Sequence, residues 1–227
     1  MHFQTQHFPL LIISVAWVVL LFVLVIAYRA IKKSPPSSDC ITLSCAILAL
    51  LWGLHVSLPS GIAAGMQYHL LGVVLVSLIS GLPVALCLLT FAAVIYAVLF
   101  QTPLDILVVP VYVIAVLIPM LFVSTGSLLL ARLKLPHHLF IFIFVNAFFT
   151  AALSMMTGGA LSLWIQDLVG AYPSELLWKH SFPVLFLLSW GEAFFTGIVI
   201  SVLISFSPNL VHCYSDEMYL PKRKSLF

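Results

Sequence analysis

Residues 61–81 read GIAAGMQYHLLGVVLVSLISG, an apolar run interrupted by a single imidazole, that of His69. In hydrocarbon a polar ring nitrogen is costly unless it is hydrogen-bonded or ligating, so a histidine in such a run marks a functional site by default. The plainer alternative is a hydrogen bond to a neighbouring helix. Further nitrogen donors stand at the other end of the chain, in Met1 and His2, and the topology derived below brings them to the same side of a membrane.

Working outward from this run, the composition fixes the class. Of 227 residues, 63% are hydrophobic and 7% charged, with a mean hydropathy of +1.21. Charged residues make up about a quarter of an ordinary soluble domain, so the chain is an all-α polytopic membrane protein. Its net charge of +2 is small, and no basic patch alternates with aromatics in the manner of nucleic-acid surfaces. Cys40, Cys45, Cys87 and Cys213 show no CxxC spacing, hence neither a disulfide framework nor a thiolate zinc site. The first apolar run is too long for a signal h-region and has no Lys or Arg before it, so it is expected to remain attached.

A bilayer core roughly 30 Å thick takes about 20 apolar residues per helix. Seven segments qualify: 8–31, 40–58, 64–82, 83–101, 104–131, 138–158 and 181–206. They are separated by Pro-, Gly- and Ser-containing breaks and by the polar stretch Gln166 to His180. Pro110 and Pro119 predict a kink in the fifth. Lys and Arg are retained on the cytoplasmic side during insertion. Arg29, Lys32 and Lys33 follow the first segment, Arg132 and Lys134 the fifth, and Lys222, Arg223 and Lys224 the seventh, whereas Lys179 alone falls on the other face. The N-terminus is therefore expected outside and the C-terminus in the cytoplasm. Met1, His2, His7, His55, His69 and His180 then sort to the outer half, and His137, His138 and His212 to the inner face.

This sorting permits a specific chemistry. The α-amine of Met1, the amide nitrogen of residue 2 and the imidazole of His2 can close fused chelate rings around one ion. A fourth nitrogen from His69 completes a square plane, which suits Ni(II) or Cu(II) better than tetrahedral Zn(II) or oxygen-seeking Mg(II). His7 and His55 are either donors that orient a ligand or ordinary interfacial histidines. Glu192, mid-way along the last segment, must be neutral, paired or turned to a polar interior. Asn146 is one partner for it, and a part in ion passage is the other reading. His55 and His69, 14 residues apart, also raise a b-type haem site, although Pro59, Ser60 and Gly61 put them on different helices. An enzyme built on Ser60 or Ser162 lacks a GxSxG elbow and an orienting acid.

Taken together, Met1-His2-Phe3, the segment Gly65-Met66-Gln67-Tyr68-His69-Leu70-Leu71-Gly72, and Gly191-Glu192-Ala193-Phe194-Phe195-Thr196-Gly197 with Ser207-Pro208-Asn209-Leu210-Val211 resemble the CbiM/NikM family. These are the substrate-specific membrane components of cobalt and nickel energy-coupling factor (ECF) transporters. The likeness extends from residue 1 to about residue 211. It departs from the usual pattern where members have an acidic-Gly pair and this chain has Phe3-Gln4-Thr5-Gln6-His7. The resemblance implies a permease in the bacterial cytoplasmic membrane, not an enzyme, that captures Ni(II) or Co(II) as cargo with Met1, His2 and His69 and has no catalytic cofactor. It implies as partners a transmembrane coupling subunit and separate cytoplasmic ATPases of ABC-transporter type. In keeping with this, the chain has no GxxxxGK[ST] loop of its own. The expected organisation is one transmembrane domain, residues 1–211, opened by a chelating segment, residues 1–7, and followed by a basic tail, residues 212–227.

Overall fold

The computed structural model describes residues 3–57 and 67–219. Seven helical segments build the bundle: α1 (Leu10–Lys33), α2 (Ser38–Gly53), α3 (Val73–Ser80), α4 (Leu82–Phe100), α5 (Pro103–Lys134), α6 (Leu139–Leu168) and α7 (Leu176–Phe206), followed by one turn, α8 (Asp216–Tyr219). Five of them, α1 and α4 to α7, are long and apolar enough to cross a membrane. The all-α polytopic membrane fold expected from composition is thus the observed one.

The helices begin and end where local chemistry dictates. Ser37 caps α2 by accepting from Cys40 N at 3.3 Å, with Asp39 in the first turn where the helix field favours an anion. On α1 the buried residues Ile13, Ala16, Leu20 and Ala27 form a narrow stripe against α4 and α5, and the other faces of the helix are apolar and exposed, as suits a lipid-facing helix. Between Pro110 and Pro119, α5 adopts a π-helical turn, Val113–Leu117, whose wider ladder absorbs the hydrogen bonds that the prolines break.

Two boundaries differ from the sequence reading. Residues 64–82 were expected to form a full third span, yet the described part is helical only over the eight residues of α3, about 12 Å of rise. Before it, Gln67–Tyr68 pairs antiparallel with Val56–Ser57, and Gly72 takes a left-handed φ of +67° that a continuing helix cannot hold. A continuous apolar run has the same hydrophobic pattern whether extended or helical, which is why the sequence overcounts the helix. Similarly, the polar stretch Gln166 to His180 is mostly helix end. Asp167 accepts from Ser174 Oγ and, at 2.9 Å, from Trp178 Nε1, which shortens the connection between α6 and α7 to residues 169–175.

All eight residues of α3 are buried, and α2, α4, α5, α6 and α7 surround it. A helix apolar on every side must sit in this way. Its C-terminal carbonyls are satisfied by the chain that follows α7: His212 N donates to Ile79 O at 3.2 Å and Cys213 N to Leu78 O at 3.1 Å. Arg132 Nη2 in turn holds Cys213 O at 3.1 Å. This end of the bundle, where the last turn of α5 also lies, is the tail end; the opposite end, carrying residues 3–8 and the α4–α5 connection, is the mouth.

Candidate metal centre

His69 follows the short strand Gln67–Tyr68 and is 4% exposed. Its Nδ1 lies 3.0 Å from Leu70 O. A carbonyl only accepts, so in the neutral ring Nδ1 carries the proton and Nε2 the lone pair, the tautomer in which metal-binding imidazoles are commonly held. The ring stacks on Tyr96 at 5.2 Å and 25° and packs on Trp52 at 5.1 Å. Both aromatic residues are tied to the same segment. Tyr96 Oη donates to Gln67 Oε1 at 2.7 Å, and Trp52 Nε1 to Leu71 O at 3.0 Å.

Beyond the histidine the backbone turns sharply at Gly72. A side chain is excluded there twice over, by the positive φ and by Leu51 Cδ1, which would lie 2.7 Å from an added Cβ. The N–H groups of Leu71 and Gly72, just before α3, donate to Glu192 of α7. Asn146, expected as a partner of Glu192, is not one: its side-chain amide has no hydrogen-bond partner among the described residues. The backbone of the turn already supplies the donors that Glu192 needs.

His69 lines a cavity of about 10 Å³ together with Tyr68, Tyr112, Met155, Gly159 and Ser162. That volume suits one small ion or one water. Tyr112 also receives the N-terminal segment. Phe3, 2% exposed, meets it edge-on at 5.8 Å. Thr5 is fastened to the α4–α5 connection by Thr5 N to Asp105 Oδ1 at 2.8 Å and Thr5 Oγ1 to Leu104 O at 2.6 Å. The segment from Phe3 onward is thus folded back over the mouth, with Phe3 against Tyr112, one of the residues that line the His69 cavity. Met1 and His2, the other two expected ligands, lie outside the described residues.

The remaining histidines take other places. His7 Nε2 lies 3.3 Å from Gln4 Oε1 and 3.1 Å from Gln6 Nε2, within its own turn. His55 packs on Phe100 at 4.4 Å and on Tyr96 at 5.5 Å, and its buried Nδ1 has no hydrogen-bond partner among the described residues. The Tyr96 ring thus lies against both His55 and His69. His137, His138, His180 and His212 are exposed. Sequence reasoning missed Phe3, Trp52, Tyr96, Asp105 and Tyr112, because each acts through a contact distant in sequence.

Two crystal structures share the fold. One, of a transition metal transporter, matches with a TM-score of 0.71 and 19% identity over 90% of this chain and 93% of that one. The other, of a truncated transition metal transporter, gives 0.68 and 19% over 90% and 99%. A search of curated proteins gives no match. The family profile described as the cobalt uptake substrate-specific transmembrane region, CbiM, matches residues 2–210, and the chain belongs to that family.

Proposed function

We propose that this chain captures Ni(II) or Co(II) at the mouth of the bundle and admits it across the bacterial cytoplasmic membrane. Its ligands are the amine of Met1, the amide and imidazole nitrogens of His2, and Nε2 of His69. The observation that carries this reading is the hydrogen bond of His69 Nδ1 to Leu70 O, because it fixes the tautomer in which Nε2 is the acceptor nitrogen, on a buried imidazole that lines an ion-sized cavity. The position of Phe3 supports the rest of the ligand set: two extended residues reach about 7 Å, and Phe3 already touches Tyr112, which lines the cavity. The mouth faces outward, in keeping with Arg132 at the tail end. A separate coupling subunit and ATPases supply the energy.

The test is Ni(II) and Co(II) titration of the purified protein beside His2→Ala, His69→Ala and a variant with one residue added before Met1. Each change is expected to weaken binding at least tenfold, the added residue because it moves the amine out of its chelate ring. Wild-type affinity in the extended variant would remove the amine from the site, and wild-type affinity in His69→Ala would end the reading.

A further inference from the structure

Glu192 lies midway along α7 and is 2% exposed. Its Oε2 accepts from Leu71 N at 3.0 Å and its Oε1 from Gly72 N at 2.6 Å. These N–H groups lie in the turn that leads into α3, Gly72 being the N-cap of that helix, where a carboxylate is favoured by the helix field. A helix cap alone would explain that pairing. The capped turn, however, is the one that carries His69. Leu70 O takes the proton of the His69 ring, Leu71 is held on its carbonyl side by Trp52 and on its N–H side by Glu192, and Gly72 is pinned in its left-handed conformation. The two peptide groups between Leu70 and Gly72 are thereby each held through both their carbonyl and their N–H. Among the described residues the one ion pair is Lys179–Glu175, at the surface, so this carboxylate is held by backbone N–H groups and not by a cation.

We propose that Glu192 is a positioning residue for cation capture: by gripping the Leu71 and Gly72 N–H groups it aims Nε2 of His69 at the ion. The inference rests on the reading that His69 is a ligand. A glutamine at 192 has one acceptor oxygen and turns an amide N–H toward a backbone N–H, so the turn loses half of its hold. An aspartate keeps both acceptors on a stem one methylene shorter.

The experiment is Ni(II) titration of the full-length purified protein, with the ligand-field absorption of the bound ion recorded for wild type, Glu192→Gln, Glu192→Asp and His69→Ala. Glu192→Gln is expected to bind about 10- to 100-fold more weakly with a shifted absorption band, and Glu192→Asp to recover part of both. A cap with no positioning role would lower the melting temperature while folded protein kept the wild-type affinity and spectrum, and that result overturns the proposal. If Glu192→Gln does not yield folded protein, Glu192→Asp carries the same comparison with the same two outcomes. If His69→Ala binds as wild type, the capture reading falls and this inference with it; if His69→Ala fails and both Glu192 variants bind normally, only this inference falls.

Discussion

The backbone N–H of Thr5 donates to Oδ1 of Asp105 at 2.8 Å, across a hundred residues of chain, while Thr102 Oγ1 holds Oδ2 of the same carboxylate at 2.6 Å. Asp105 is buried, so its side chain is a fixed post to which the N-terminal segment is tied. Asp105→Ala is expected to free that segment and weaken Ni(II) binding about tenfold, within the range seen for groups that orient metal ligands. Asp105→Asn keeps an oxygen acceptor for Thr5 N and should lose less. Isothermal titration of the two variants checks the order; equal affinities for Asp105→Ala and wild type would mean that the tether does not serve capture.

Gly72→Ala places a methyl group at a φ of +67° and against Leu51 Cδ1. The backbone conformation alone costs about 1–2 kcal/mol, and the clash adds to it. The melting temperature in detergent is expected to fall clearly, whereas Gly53→Ala, where an added Cβ meets nothing within 4 Å, should leave it unchanged or raised. A Gly72→Ala protein as stable as wild type would contradict the geometry of this turn.

Protons compete with the metal for amine, amide and imidazole nitrogens. If Met1 and His2 capture the ion as proposed, more than one proton is displaced, so the Ni(II) dissociation constant should rise more than tenfold for each pH unit below 7, with matching proton release in unbuffered titration. An affinity flat from pH 5 to 8 would exclude this donor set.

At the tail end, Cys213 Sγ lies 3.6 Å from Ser77 O. Burial pushes this thiol up to about 11, with Arg132 acting in the opposite sense. The thiolate is the reactive form, and below that pH the group stays protonated, so Cys213 should resist maleimide at pH 7.5 and become labelled only when residues 207–219 detach from α3. Mass spectrometry of the labelled protein distinguishes the cases; rapid labelling of the folded protein would show that this closure opens readily.

The bundle was legible because length and apolar composition are what a bilayer selects, and six of the seven segments correspond to helices over most of their length, the third only over the eight residues of α3. What the sequence hid is where hydrophobicity has no period to report. Residues 67–72 are apolar enough to read as helix, yet they are extended and turned by Gly72. Glu192 was recognisable as an anomaly, but its partners are peptide N–H groups, which every residue carries and no side-chain pattern reveals; hence Asn146 stood in for them. His69 announced itself as an imidazole in hydrocarbon. The tyrosines, the tryptophan and the aspartate around the mouth looked like ordinary membrane-edge residues until the chain was folded.

The central helix α3 is gripped at one end by a side chain of α7 and at the other by the peptide groups that follow α7. One continuous stretch of chain thus acts as a pair of calipers on a fully enclosed rod. An ion captured beside His69, as proposed above, would have the wholly buried α3 beneath it, so passage along the axis would require that rod and its calipers to move.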